Sequence, residues 1–212
     1  MAYTTKMAAA LSGATVSQLR HWRRETPAGV VLEPEIATSP TALYSFRDVL
    51  ALRTCVRLRQ LSSLQRVRKA IGNLRDLGER EHLSQYQLVS DGKRIQLVTD
   101  EEAVDLIGKP GQRQLVVVMG EIVEPFPIRA GVVIPHLFHP NPHVEVDPAT
   151  QGGHPVVRGT RVPYDLVAEL VDDGVPPEKV SDFYPAVSAD AARDAVAFAQ
   201  YVNSYDLPRR AA

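Results

Sequence analysis

The chain has one cysteine, Cys55, in 212 residues, so no internal disulfide can form and a thiolate-built metal site is excluded with it. Cys55 falls inside a helical apolar pattern and reads as a packed thiol. No stretch approaches the roughly twenty apolar residues of a membrane-crossing helix, the run from Leu115 to Met119 being too short, and no signal peptide is visible. A cytoplasmic, reducing location is the expectation. Also missing are a nucleophile paired with a base, a glycine-rich phosphate loop and an HExxH motif, so the residues give no reason to expect an enzyme or a cofactor.

Net charge is nearly absent overall, at −1, but it is unevenly spread. Residues 1–75 hold 12 Lys and Arg against 4 Asp and Glu, a balance of +8. Residues 76–150 hold 6 against 12, a balance of −6, and residues 151–212 hold 6 against 9, a balance of −3. A polyanion-binding surface therefore belongs to the first third, and the rest should repel DNA. With 44% hydrophobic residues the chain can bury three modest cores, and the expected units are residues 1–80, 81–142 and 143–212.

The first unit is organised around Thr5 to Arg24. An Ala-rich helix from Lys6 to Leu11 is stopped at Ser12-Gly13, and Thr15 with Gln18 three residues later makes a capping box that restarts a helix at Val16. Val16, Leu19 and Trp22 face inward, leaving Ser17, Gln18, Arg20, His21, Arg23 and Arg24 outside, with Thr15 at the cap. Arginine fits both phosphate oxygens and the acceptor pair of guanine, so these residues are the candidate DNA contacts. The alternative is a solvated basic helix with no partner.

Val30 to Leu32 and Ala42 to Tyr44 read as the two strands of a wing, with Tyr44 offering a hydroxyl to phosphate, or else as parts of a Pro-rich linker. Ser45 to Asp48 is a second capping box, placing Arg47 in the first turn of a helix with Phe46, Val49, Leu52 and Val56 inward. A basic fourth helix follows through Leu61, Leu64, Val67, Ile71 and Leu74. The series YTTKMAAALSGATVSQLRHWRR, a wing and YSFRDVLALRTCVRLRQL resembles the winged DNA-binding domain of MerR-type regulators. The resemblance implies Arg20 and its neighbours at the major groove and Tyr44 with the wing on the backbone. This sequence departs from the pattern at Thr41-Ala42-Leu43, where an arginine is expected shortly before the tyrosine. It also lacks the long dimerisation helix and the paired metal-sensing cysteines of some relatives.

In the middle unit, Gln85 to Ser90 and Lys93 to Thr99 flank Asp91-Gly92, a strong hairpin signal. Thr99 to Ile107 reads as a short helix and Gln114 to Met119 as a buried strand. His136, His139 and His143 are interrupted by Pro135, Pro140 and Pro142, which points to a structured linker, with no metal expected.

The last unit predicts two short strands around Arg158-Gly159-Thr160, with Arg158 and Arg161 holding the turn through carbonyls. A helix carrying Leu166, Val167, Leu170 and Val171 follows, then another begun by Pro176-Pro177, and a third capped by Ser188. The pattern PVVRGTRVP with the later DG and PPE resembles a family of small helix-turn-helix modules of unknown function that is common in VapB-type antitoxins. The fold expectation is therefore α+β: an N-terminal winged helix-turn-helix, a central hairpin-containing module and a C-terminal strand-plus-three-helix module.

The combined resemblance implies an antitoxin that represses its own operon and neutralises a PIN-domain, VapC-type ribonuclease toxin. The alternative is a MerR-like one-component transcriptional regulator sensing a small effector. One short recognition helix makes few base contacts, so a homodimer on duplex operator DNA is expected. Arg209 and Arg210 either reach the acidic pocket of the toxin or form a solvated end.

Overall fold

The computed structural model describes residues 2–27, 29–76, 87–90, 95–98, 103–105, 113–114, 122–129 and 132–205. Strand β1 (Tyr3–Thr4) leads directly into helix α1 (Thr5–Ser12), whose N-cap Thr4 accepts from the Met7 amide. Ala8, Ala9 and Ala10 are completely buried, because α1 is packed by other elements on several faces and only small side chains fit. Gly13 ends α1 at φ +82, its amide donating to the Ala9 carbonyl at 2.8 Å. A Cβ at Gly13 would lie 2.5 Å from Ile134 Cγ1, so this turn requires glycine for both its dihedral and its close approach.

Helix α2 (Val16–Trp22) starts with the expected reciprocal cap: Gln18 N donates to Thr15 Oγ1 at 3.0 Å and Thr15 N to Gln18 Oε1 at 2.8 Å. Leu19 and Trp22 anchor it in the core. The expected wing is different in form. Val30 to Leu32 is not a strand; the Val31 and Leu32 amides both donate to the Trp22 carbonyl, folding the chain back over the end of α2. Strand β2 (Leu43–Tyr44) pairs instead with β1, Tyr3 opposite Tyr44, and the intervening loop is closed by a single Ala37–Leu43 bridge. The Val30 to Leu32 segment does not pair because the orphaned Trp22 carbonyl at the end of α2 already engages two of its amides.

Helix α3 (Phe46–Leu61) carries the Ser45–Asp48 capping box, and the buried Asp48 carboxylate also accepts from the Glu35 amide at 2.9 Å, tying the loop to the helix. Helix α4 (Leu64–Asp76) follows, with Val67, Ala70 and Ile71 buried. The expected hairpin is present as β3 (Gln87–Ser90) against β4 (Ile95–Val98), with Ser90 opposite Ile95. Its Asp91-Gly92 turn lies outside the described residues, as does most of Gln114 to Met119. The helix expected over Thr99 to Ile107 is corrected: Ala103–Asp105 is strand β5, paired antiparallel with β4, and β6 (Arg113–Gln114) extends the same four-stranded sheet. Antiparallel pairing with β4, Val104 opposite Leu97, outweighs a local helix start.

Strands β7 (Phe126–Arg129) and β8 (Val132–Ile134) form a bulged hairpin. Strand β9 (Val144–Glu145) pairs with β10 (Val156–Val157), and helices α5 (Tyr164–Asp172) and α6 (Ala189–Asn203) flank a 3-10 segment, Pro177–Asp182. Ser188 caps α6 by accepting from Ala191 N. The turn at 158–160 is held by backbone bonds, Val157 N to Val162 O at 2.8 Å and Thr160 N to Val157 O at 3.0 Å. Arg158 and Arg161 are exposed rather than folded onto carbonyls, a correction that follows from the turn closing without them.

The two ends of the chain share a core. Tyr3, Leu11, Leu52, Ile134, Val157, Ala195 and Val202 belong to one continuous buried cluster. Tyr201 Oη donates to the Ala10 carbonyl at 2.9 Å, and Lys6 Nζ to Asn203 Oδ1 at 2.9 Å. The boundary expected after residue 80 lies outside the described residues, while that at 142 falls in a loop whose following elements return to α1. No helix among the described residues is long and apolar enough to cross a membrane.

Candidate nucleic-acid interface

With Leu19 and Trp22 committed to the core, the opposite face of α2 carries Ser17, Arg20, His21 and, just past its end, Arg24 in exposed positions. Arg23 is half-buried. Among the described residues no hydrogen bond or ion pair engages the guanidinium of Arg20, Arg23 or Arg24. Their place at the end of α2 sets positive charge against the negative pole of the helix. Together with Glu33 and Thr38 they line an open cleft of about 330 Å³ between α2 and the loop that follows it.

Several other arginines among the described residues have partners. Arg47 pairs with Glu35 at 3.3 Å, and Arg193 pairs with Asp190 at 2.7 Å and with Glu178. Arg68 of α4 comes within 3.4 Å of the His21 ring, which brings a further cation to the α2 face. Arg53 is completely buried and faces carbonyls only: Leu11 at 2.6 Å, Glu124 at 2.9 Å, Pro135 at 3.1 Å, Val123 at 3.3 Å and Ile122. Burial lowers its pKa to about 10, and its guanidinium lies 5.1 Å from the centre of the Phe126 ring. Arg53 thus fastens the end of α1 to the segment 122–135 from inside.

The remaining expected contacts separate by role. Thr15 Oγ1 and Gln18 Oε1 are engaged in the reciprocal cap, which does not use the Gln18 side-chain amide nitrogen. Tyr44 was expected to reach a phosphate, but it is only 1% exposed, packed in the β1–β2 pair, and burial raises its phenol pKa against the lowering effect of Arg23. In this arrangement it is a packing residue, corrected because its strand turns inward toward Tyr3. Arg209 and Arg210 lie outside the described residues. Sequence reasoning missed Glu33, Thr38, Arg68 and Arg53. Nothing local marks the first two, since the fold-back of Val31 and Leu32 onto Trp22 is what carries them to α2.

Three of the described histidines have separate partners. His136 Nδ1 accepts from the Phe138 and His139 amides, both at 3.2 Å, His143 Nδ1 meets Asp194 Oδ2 at 2.7 Å, and His154 Nε2 meets Asp165 at 3.1 Å. Cys55 is completely buried, which pushes its thiol up to about 12.

Comparison with known proteins matches residues 3–73 to the MerR HTH family regulatory protein profile and residues 144–199 to the family described as protein of unknown function (DUF433). The chain is similar to uncharacterized HTH-type transcriptional regulators of Mycobacterium bovis and Mycobacterium tuberculosis. Each is 33% identical over 107 residues, covering 50% of this chain and 47% of the relative. The chain thus spans about half the length of the curated relatives it matches. Its fold is similar to the X-ray crystal structure of Rv2018 from Mycobacterium tuberculosis, with a TM-score of 0.53 and 18% identity over 92% of this chain and 96% of that one. The chain carries a MerR-type helix-turn-helix domain at its N-terminal end and a DUF433 domain at its C-terminal end.

Proposed function

We propose that the protein is a transcriptional regulator that binds duplex operator DNA through the outer face of α2. The observation that carries this reading is the set of three guanidiniums, Arg20, Arg23 and Arg24, none engaged by a described residue and all lining one open cleft. A folded chain ordinarily pairs such charges or scatters them; here they converge on the face that the helix-turn-helix directs outward. Ser17 and His21 flank them, and Arg47 joins only by giving up Glu35. Binding of the full chain to mixed-sequence duplex, measured by fluorescence anisotropy at low salt, tests the reading; absence of binding overturns it. Because α2 has only seven residues, we propose a homodimer that reads two half-sites. A monomer mass in light scattering at micromolar concentration argues against that.

The finer role we propose is that of an antitoxin for a PIN-domain ribonuclease, autorepressing its operon. It is supported by the joining of a MerR-type front to a DUF433 module, and by the surface of α6. Arg193 there is neutralised by Asp190 and Glu178, so this helix is a poor second DNA reader and is better suited to protein contact. The tail with Arg209 and Arg210 would enter the toxin's acidic metal pocket. Co-purification with the neighbouring gene product, and inhibition of its ribonuclease activity, tests this; full inhibition by a chain lacking residues 206–212 removes the tail from the account. The alternative, an effector-sensing regulator, is favoured by a cleft of about 240 Å³ lined by Gly13, Gln18, Trp22, Arg59 and Ile128, beside the cap of α2.

A further inference from the structure

Glu33 is an unusual companion for three arginines on a proposed DNA-binding face. It is exposed, it lines the same cleft as Arg20, Arg23 and Arg24, and among the described residues its carboxylate forms neither a hydrogen bond nor an ion pair. Its position is fixed by its neighbours in sequence. The Val31 and Leu32 amides are held on the Trp22 carbonyl at 3.0 and 3.4 Å, and the Asp48 carboxylate holds the Glu35 amide at 2.9 Å, so residue 33 is anchored on both sides beside the end of α2.

A carboxylate in that place is repelled by every phosphate and by every acceptor on a base edge. The major groove offers few donors to compensate it, namely the exocyclic amines of cytosine and adenine. Arginine, by contrast, is matched bidentately by the O6 and N7 acceptors of guanine. A guanidinium and a carboxylate side by side, each left open by the protein, are complementary to the edge of one G·C pair, which presents two acceptors beside one donor. Resting on the DNA-binding reading above, we infer that Glu33 is a specificity-determining residue that accepts a hydrogen bond from the cytosine amine of a G·C pair whose guanine is read by an arginine of the cleft.

The test is selection of bound sequences from a pool of duplexes randomised in the centre, using the full chain and its Glu33→Gln and Glu33→Ala variants. Glu33 is exposed and makes no bond in the fold, so both variants should fold, with unchanged thermal unfolding as the check. The wild type should recover a motif with a fixed G·C pair. Glu33→Gln should move that one position toward A·T, since an amide matches the adenine edge, and Glu33→Ala should relax it by about tenfold or more while other positions keep their preference. A motif unchanged in both variants overturns the inference, as does a uniform rise in affinity for all sequences, which would make the carboxylate a charge brake only. A wild-type motif without a G·C pair at the altered position overturns it too. Failure of the wild type to bind any duplex at low salt defeats the DNA-binding reading itself, and the inference falls with it.

Discussion

The Tyr3 hydroxyl donates to the Gly153 carbonyl at 2.6 Å, joining residues 150 positions apart. Gly153 sits at φ +93, and a Cβ there would lie 2.5 Å from that hydroxyl. Tyr3→Phe leaves a buried carbonyl without its donor and should cost about 1–2 kcal/mol. Gly153→Ala adds both dihedral strain and the clash, for about 1–3 kcal/mol. Because phenylalanine removes the atom that clashes, the double variant should be less destabilised than the sum of the single variants in urea unfolding. Strict additivity would show that the two residues are not in contact.

Arg53 should be among the costliest side chains to change. Five carbonyls converge on it from Leu11, from 122–124 and from Pro135, with no carboxylate among these acceptors. Arg53→Met strands these acceptors and should cost about 3–5 kcal/mol, whereas Arg53→Lys keeps the charge but loses the planar fork and should recover only part. Chemical denaturation of the three proteins decides this, and equal stability of all three would refute the clamp.

Alkaline pH should unfold the protein through its buried phenols and thiol. Burial raises the pKa of Tyr3, Tyr44 and Tyr164, with Asp165 and Glu169 adding to the effect at Tyr164, and pushes Cys55 up to about 12. A raised folded-state pKa means that the stability these groups contribute is complete below their unfolded values and is lost as pH rises past them. The loss should therefore begin near pH 9 for the thiol and near pH 10 for the phenols, roughly. Urea midpoints between pH 8 and 11, followed with tyrosinate absorbance, should fall together with the appearance of ionised tyrosine. Full ionisation of all seven tyrosines in a protein that stays folded would contradict the burial.

Local grammar explains what was legible beforehand. Thr15 with Gln18, Ser45 with Asp48, Ser188, and the Asp91-Gly92 hairpin all work within a few residues, so α2, α3, α6 and the β3–β4 pair could be placed from sequence. The partner of β2 was missed because it lies forty residues upstream at β1, and the β5 pairing was missed because the β4 edge decides it. Nothing in the sequence around Arg53 marks it as buried. Its acceptors reach it only after α1, α3 and the 122–135 segment have packed, and the same is true of Glu33 beside Arg23 and Arg24.

The most direct test is the salt dependence of duplex binding by the full chain against its Arg20→Ala/Arg23→Ala/Arg24→Ala variant. Each phosphate contact contributes about 0.9 to the slope of log affinity against log salt, and a lost base contact costs about 1–3 kcal/mol. The account predicts steep salt dependence for the wild type, with the triple variant losing both affinity and slope by about one unit for every arginine that meets phosphate. Equal affinity and equal slope for the two proteins, or no binding by the wild type at low salt, would contradict the assignment of this face to DNA.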